Sequence, residues 1–532
     1  MGDRDKILAK VQELEEKKKQ ISLGGGPKAI EKQHQAGKLT ARERIDKFYD
    51  PDTFMEIDMF ADCLGREFGM AGKSIPGDGI VIGHGLVEGR PVAAFFADYT
   101  SMAGTFGEMH GRKMNKIIEF AINKKMPVIG VNDCAGARLQ ENMGPLSQYG
   151  RLFYLNSIGS GVVPQISLLH GYVAGGQAYS PGLMDFLFMV KDMGYTFIAG
   201  PPLVKAMLSE DISADELGGY KVHSTTSGVC HVVAEDEMDS FTKCRKLLSY
   251  LPSSNLDMPP YDDTGDPADR VSEKIYDIIP ADRWRPYDMK KIIKEIVDNG
   301  EFFEIHKDYF KEMVICFARL GGHSVGIVAN NPMFRGGVIT TQAAEKAARF
   351  KIFCDAFNIP IINLIDTPAY LIGSQQEKLG IIYRGAKLLY ATSCATVPQI
   401  SVYIGKAYAG GYLTMGSKDF DVDLVYAWPT ADLGLVGPKG TVNVLFRKEI
   451  TAAGEAAKAK GEDPAKAEEE ERARREKEFA DTYMSVYYPA KLQHIDDIID
   501  PKETRPILIK SLEQLANKVK ELPWRKHGNI PL

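Results

Sequence analysis

Four short runs of small residues hold the atoms best suited to chemistry: Cys134-Ala135-Gly136-Ala137, Ala174-Gly175-Gly176, Ala369-Tyr370 with Gly373, and Ala409-Gly410-Gly411. Small residues after a strand let backbone N–H groups come close to a ligand. Where such a turn opens a helix, the free N–H groups and the helix dipole favour negative charge. The matching chemistry is an oxyanion hole, in which paired donors hold the charge of an enolate. One Gly-Gly pair alone would be an ordinary turn; four such loops in corresponding places of a repeat are the signal. Other chemistries lack their residues. Ala71-Gly72-Lys73-Ser74 has the tail of a phosphate loop, but Glu67 stands where the leading Gly belongs. There is no HExxH or paired acidic motif. His110 reads as a structural histidine near a helix start, and His223 and His231 as packing or hydrogen-bonding residues. Cys134 has no evident His partner and reads as a buried thiol rather than a nucleophile.

The elements that must position these loops occur twice. Val-Pro-Gln-Ile-Ser begins at Val163 and again at Val397, 234 positions on (397 − 163). Around it, 85–100 is matched by 319–334, and 120–141 by 353–377. Each half reads as a helix, an apolar run ending in Asp, a small-residue loop, a helix, VPQIS, and a second small-residue loop. Such self-similarity means duplicated domains. Short Val/Ile runs alternating with helical segments predict α/β units with buried parallel strands. Domain one is expected at about 1–260 and domain two at about 290–515, with the Pro/Asp-rich stretch 252–290 as linker. Residues 451–480 are mainly Ala, Glu, Lys and Arg, and predict a solvated helical insertion broken near Gly461 to Pro464.

The bulk numbers agree with a multidomain globular chain. It has 532 residues, 44% hydrophobic and 26% charged, and a net charge of −6. That charge argues against a general nucleic-acid binder. Seven cysteines without a CxxC pair argue against a zinc ribbon or a disulfide framework. The N-terminus is a charged amphipathic helix and not a targeting peptide. A reducing cytoplasm is expected, or a matrix-like compartment in a eukaryote. Residues 152–184 hold no Asp, Glu, Lys or Arg, but Pro164, Pro181 and six glycines argue against a membrane span.

The loops and their surroundings resemble the carboxyltransferase subunits of biotin-dependent acyl-CoA carboxylases and decarboxylases. The resemblance runs through LGGGPKAIEKQHQAGKLTARERIDKFYD, SIPGDGIVIGHG, NDCAGARLQE, SGVVPQISLLHG, LGGYKVHSTTSGVCH, ARLGGHSVGIVANNP, RFKIFCDAFNIPII, GIIYRGAKLLYA and YAWPTADLGLVGPKG. It is nearest the propionyl-CoA carboxylase and methylmalonyl-CoA decarboxylase branch. It implies two duplicated crotonase-like domains of the ClpP/crotonase ββα superhelix. It implies a coenzyme A thioester substrate on the N-terminal domain and carboxybiotin, on a separate carrier, on the C-terminal domain of a neighbouring subunit. It further implies a hexamer, with a biotin carboxylase and carrier subunit, or membrane decarboxylase subunits, as partners. Amides around Gly175 and Gly176 would hold the thioester oxygen, and those around Gly410 and Gly411 the ureido oxygen. Carboxyl transfer would pass through enolates in these two holes, with no side-chain base, in either direction.

The resemblance also sets expectations for substrate-contacting residues: Cys134, Ala135, Gly136, Ala137, Arg138, Tyr172, Gln177, Ala369, Tyr370, Tyr408 and Leu413. Several depart from the family's wording. Ala135 and Ala369 replace glycines and would restrict positive φ. Tyr172, Gln177 and Tyr370 add bulk and polarity. Leu413 stands where the family's substrate-selecting residue, often Asp, is found. Two other readings stay open. A biotin-independent crotonase-like hydrolase or hydratase would draw on Glu108, Glu141 or Glu377, and an acyl-CoA-binding scaffold would have lost turnover.

Overall fold

The computed structural model describes residues 2–65 and 67–531. The chain forms two compact units, Met1–Met258 with His306–Tyr309, and Pro259–Ile305 with Phe310–Leu532. Most of the expected linker therefore folds with the second unit. Within that unit the Asp262 amide donates to the Gly322 carbonyl at 3.1 Å and the Tyr287 hydroxyl to Asp366 at 2.8 Å.

The first unit is built on one eight-stranded sheet. Its strands are β1 (Met55–Ile57), β2 (Ile80–Val87), β3 (Arg90–Ala97), β4 (Val128–Cys134), β5 (Gln165–Ala174), β6 (Phe186–Val190), β7 (Tyr195–Phe197) and β8 (Val232–Ala234). The order is β1-β2-β3-β4-β5-β6-β8, with β7 continuing beside β5. β2 and β3 form an antiparallel hairpin; from β3 to β8 the pairs are parallel. The hairpin turns on Glu88 and Gly89, both at positive φ, the geometry that a two-residue connection between twisted strands requires. Parallel pairs need crossovers, and helices Glu108–Lys124 and Met143–Gly159 supply them. All seven residues of β4 are buried, which is why its first four, Val-Ile-Gly-Val, read as an apolar run with no polar alternation.

The second unit repeats this plan. Its strands are β9 (Phe302–Ile305), β10 (Met313–Leu320), β11 (His323–Asn330), β12 (Ile361–Thr367), β13 (Gln399–Tyr408), β14 (Leu424–Ala427), β15 (Asp432–Gly434) and β16 (Asp497–Ile498). Their order is β16-β14-β13-β12-β11-β10-β9, with β15 beside β13. The β10–β11 hairpin turns on Gly321 and Gly322, again both at positive φ. The crossovers are helices Thr341–Ala356 and Ile381–Cys394.

Small devices repeat as well. Buried Lys113 donates to the carbonyls of Gly77 and Ile80 at 2.9 and 2.6 Å. Its counterpart 233 positions on (346 − 113), Lys346, donates to Met313 at 2.7 Å. Each lysine thus ties a crossover helix to the first residue of the hairpin.

The charged insertion is helical, as its composition predicts, and forms two helices, Arg447–Ala459 and Pro464–Phe479. Gly461 takes positive φ at the break, and Asp463 caps the second helix by accepting from the Ala465 amide. Among the described residues no helix is long and apolar enough to cross a membrane.

Candidate functional site

In each unit the chemistry-bearing turn rests on a buried aspartate. Asp133, next to last in β4, and Asp366, next to last in β12, are 233 apart (366 − 133) and both buried. Opposite each, the neighbouring strand carries two extra residues. β4 advances from Asn132 to Cys134 while β5 advances from Leu169 to Val173; β12 goes from Ile365 to Thr367 while β13 goes from Tyr403 to Ala407. These are bulges that re-aim the strand end. Gly171 and Gly405 sit at them because a Cβ there would strike the Asp133 or Asp366 carboxylate. The strand beyond the bulge ends at Ala174 or Tyr408 and turns directly into helix.

The aspartates have different counter-charges. Asp133 meets Lys38 at 3.0 Å and Arg44 at 3.2 Å, and Arg44 also donates to Glu237 at 2.8 Å. Burial would raise the Glu237 carboxyl, but His170 and Arg44 overcome it and hold the group near 2. Asp366 meets Lys406 at 2.7 Å and the Tyr287 hydroxyl at 2.8 Å. Burial raises its pKa and Lys406 opposes the rise.

The loops after β4 and β12 correspond too. The Phe106 amide donates to Gly136 and the Arg138 amide to the Phe106 carbonyl, both at 2.9 Å. The Ile339 amide donates to Ala369 at 3.0 Å and the Leu371 amide to Ile339 at 2.9 Å. Gly136 takes φ 100°, whereas neither Ala135 nor Ala369 lies at positive φ. The two alanines therefore cost no backbone strain, and the restriction expected of them does not arise.

The turns after β5 and β13 align differently from the match of Ala-Gly-Gly to Ala-Gly-Gly. Strand pairing sets Tyr172, Val173 and Ala174 against β7 as it sets Lys406, Ala407 and Tyr408 against β15, an offset of 234 (406 − 172). Gly175 thus corresponds to Ala409, Gly176 to Gly410 and Gln177 to Gly411. The dihedrals agree: Gly175 has φ 68° and Ala409 has φ 52°. The left-handed position that Gly fills without strain in one unit is held by Ala in the other. Gly410 is exposed, with open space where a Cβ would stand, while a Cβ on Gly411 would lie 3.0 Å from the Ala369 Cα.

Of the residues expected to touch substrate, several have their side chains engaged by protein. Arg138 is buried, ion-paired with Asp78 and with Glu141 at 2.8 Å, and donates to the Thr105 carbonyl at 2.9 Å. It holds the loop and presents no free guanidinium. The Cys134 thiol is buried and accepts from the Gly136 amide at 3.4 Å; burial pushes its pKa up to about 11. Gln177 is buried and donates to Asn132 at 3.3 Å. The Tyr370 hydroxyl donates to the Gly385 carbonyl at 3.1 Å and pairs with Thr414 at 3.0 Å; burial raises it to about 12. Tyr408 is buried beneath its turn and also raised by burial to about 12. The exposed members are Ala135, Ala137 and Tyr172, the last stacked on Tyr195 with ring centroids 4.9 Å apart. His110 is structural: its ring bonds the Asp78 carbonyl at 3.0 Å, and burial drops its pKa to about 3.

A cavity of about 620 Å³ opens beside the second turn. Its lining includes Ala409, Gly410, Leu413, Leu435, Val444, Tyr483, Tyr488 and His494. Phe479, the last residue of the insertion's second helix, belongs to this wall. The insertion is thus anchored at its end in the site and is not a detached surface arm. Sequence reasoning missed this wall, and missed the supports Lys38, Arg44, Tyr287 and Lys406. The usable signal was the apolar run ending in Asp, present in both halves.

Residues 32–530 match the carboxyl transferase domain family. The methylmalonyl-CoA decarboxylase subunit alpha of Veillonella parvula is 43% identical over 526 residues, 99% of each chain. The carboxyltransferase subunit of propionyl-CoA carboxylase from Haloferax mediterranei is 45% identical over 98% of this chain and 99% of its own. A transcarboxylase 12S structure with methylmalonyl-coenzyme A bound superposes with a TM-score of 0.93 at 41% identity, covering 98% of this chain and 99% of that one. The repeated bulge-and-turn frame is thus that of two crotonase-like domains, and the chain belongs to the carboxyl transferase family.

Proposed function

We propose that this chain moves a carboxyl group between biotin, carried on a separate protein, and the α-carbon of an acyl-CoA. The observation that carries the reading is the repeated frame of buried Asp, bulge, left-handed residue and helix-opening amides, with an apolar cavity beside its second copy. Helix-opening amides in a partly buried site stabilise developing negative charge strongly. In the first unit the amides following Gly175 would face the thioester oxygen and hold the acyl enolate. Ala135, Gly136, Ala137 and Tyr172 would border the coenzyme A side, with Cys134, Arg138 and Gln177 fixing the loop from within.

The second unit fits a biotin head group. Apolar walls suit a fused ring, and the Gly410 position is open for close approach. Gly410 and Gly411 amides would hold the ureido oxygen, with Ala369, Tyr370 and Tyr408 supporting the turn and Leu413 facing the reacting groups. When bound, biotin supplies an N-carboxyl group that can be released or taken up as CO₂. The chain's part is to exclude water with the cavity walls and to hold charge on amides, which needs no side-chain base. Partners would be a carrier with a biotin carboxylase, or membrane decarboxylase subunits, and the assembly a hexamer.

The test is CO₂ release by the purified chain, with and without free biotin, across malonyl-, methylmalonyl- and glutaconyl-CoA and bulkier carboxyacyl-CoA thioesters. Biotin-dependent release is the expected result, and the preferred thioester names the acyl group. Release independent of biotin would replace this reading with a hydrolase-like or hydratase-like one. Tight acyl-CoA binding without release would leave a scaffold.

A further inference from the structure

Lys351 is fully buried on helix Thr341–Ala356 and belongs to none of the loops described above. Its Nζ donates to the Met415 carbonyl at 2.6 Å and to the Thr392 hydroxyl at 2.9 Å. Among the described residues no carboxylate pairs with it. An ammonium carries three donors and is costly to bury without a counter-charge, so such a group demands a reason. Burial drives its pKa down to about 7.

Met415 lies in the last turn of helix Ala409–Gly416, whose first residues are the amides assigned to the biotin side. That end is held from several directions. Thr392, one of the two acceptors of Lys351, itself donates to the Thr414 carbonyl at 2.8 Å. The Thr414 hydroxyl meets Tyr370, which sits on the loop after β12, at 3.0 Å. Gly416 takes φ 147°, where a Cβ would press on Asn363 and Ser401. The carbonyl end is therefore fixed in the core, while Ala409, Gly410 and Leu413 line the cavity. A cation at a helix C-terminus also complements the helix dipole.

The first unit manages without this lysine. Its corresponding turn is held by a neutral pair, the Ser180 hydroxyl donating to Asn156 at 2.9 Å; Ser180 stands 234 before Thr414 (414 − 180), and the Asn156 carbonyl accepts from the Gln165 side chain as the Thr392 carbonyl accepts from Gln399. The position of Lys351, 233 back (351 − 233), is the buried apolar Ile118. The difference follows the turns: the second opens on a strained Ala409 where the first opens on Gly175.

We propose that Lys351 is a positioning residue for the biotin-side oxyanion hole, tying the carbonyl end of helix Ala409–Gly416 to its two neighbouring helices so that its amide end stays aimed into the cavity. This rests on the biotin reading of that cavity. Lys351 touches no reacting atom; it acts through the Met415 and Thr414 carbonyls.

The experiment compares wild type, Lys351→Met and Lys351→Gln in free-biotin-dependent CO₂ release from methylmalonyl-CoA, alongside propionyl-CoA affinity by calorimetry. At pH 6, where the amine holds its proton, Lys351→Met is expected to lose roughly tenfold or more in kcat/KM for biotin, the size of effect that a hydrogen bond from a charged donor supports. Propionyl-CoA affinity should stay within about twofold, because that ligand is assigned to the other unit. Lys351→Gln, which retains a donor, should recover part of the loss. Unchanged kcat/KM for biotin in folded Lys351→Met, or equal losses on the biotin and acyl-CoA sides, would overturn the proposal. If Lys351→Met does not fold, Thr392→Val removes the shared acceptor and carries the same two readouts. A wild type active on methylmalonyl-CoA without biotin overturns the cavity reading and this inference together. A biotin-dependent wild type with an indifferent Lys351→Met overturns this inference alone.

Discussion

The two units hold the same frame with different fillings, and the differences cluster around the turns. Both have a hairpin on two positive-φ residues, a lysine tying helix to hairpin, a buried Asp and a two-residue bulge with Gly at its contact point. The frame is geometry, so it tolerates few substitutions. The filling is charge and shape, and it diverges. Asp133 is balanced from the N-terminal segment by Lys38 and Arg44; Asp366 is balanced from its own bulge by Lys406. The left-handed turn residue is Gly175 in one unit and Ala409 in the other. Duplicated domains can thus keep an amide geometry while changing what the amides face.

The largest expected effect comes from breaking the turn itself. Gly175→Val places a β-branched residue at φ 68°, where no neighbour blocks the Cβ but the backbone conformation is costly. The Cβ would find only the Ile198 carbonyl, 3.9 Å away, so the fold should survive while the amides rotate. Loss of one oxyanion donor costs about 10²–10³-fold in kcat. Turnover near wild type would remove the first turn from the chemistry. Gly411→Val is a poorer probe, since its Cβ meets the Ala369 backbone at 3.0 Å and would disturb packing as well.

Next in size is the pair Asp133→Asn and Asp366→Asn, read by denaturant unfolding. Removing one partner of a buried ion pair costs roughly 3–5 kcal/mol when the other charge is left unpaired. Lys406, with Asp366 as its ion-pair partner, should pay this in full. After Asp133→Asn, Arg44 keeps Glu237, and Lys38, less deeply buried than Lys406, can turn to solvent, so that variant should lose less. Equal losses would break the claim that the two aspartates are balanced differently.

Lys351 sharpens the comparison through pH. Its folded pKa of about 7 lies below the ordinary lysine value, 10.5. Between those values the unfolded chain binds the proton that the folded chain has released, so stability rises with pH across that window. Wild type should therefore gain Tm relative to Lys351→Met between about pH 7 and 10. A gap that does not change with pH would mean that the amine is not buried as described.

How much of this was legible beforehand depends on whether a feature is local. The duplication, the parallel α/β units, the four loops and the helical insertion follow from periodicity and small-residue runs, which are readable along the chain. The bulge could not be counted, because two extra residues in β13 show only against β12. It leaves the turns in register, because both units carry it: the 234-residue offset set by VPQIS already pairs Gly175 with Ala409, and matching Ala-Gly-Gly to Ala-Gly-Gly departs from that offset by one residue. The burial of Arg138, Gln177 and Tyr370 was also hidden, since a polar side chain in a small-residue loop reads the same whether it faces ligand or core. Lys351 gave no sign for a related reason: a lysine on a crossover helix is ordinarily solvated.

The smallest effect tests the register most directly. Ala409 lies at φ 52°, a conformation that costs a non-glycine residue about 1–3 kcal/mol. Ala409→Gly removes that cost but gives the unfolded chain more freedom, worth about 0.4–1 kcal/mol. The net expectation is a gain of roughly 1 kcal/mol in unfolding free energy, with biotin-dependent turnover retained because the amide path is unchanged. Gly175→Ala in the first unit is the mirror experiment and should lose a similar amount. Opposite signs from the same exchange at 175 and 409 would show that these are one structural position, 234 residues apart (409 − 175). If instead Ala409→Gly destabilises and Gly410→Ala behaves like Gly175→Ala, the alignment by Ala-Gly-Gly is the right one and strand pairing does not set the register of the turn.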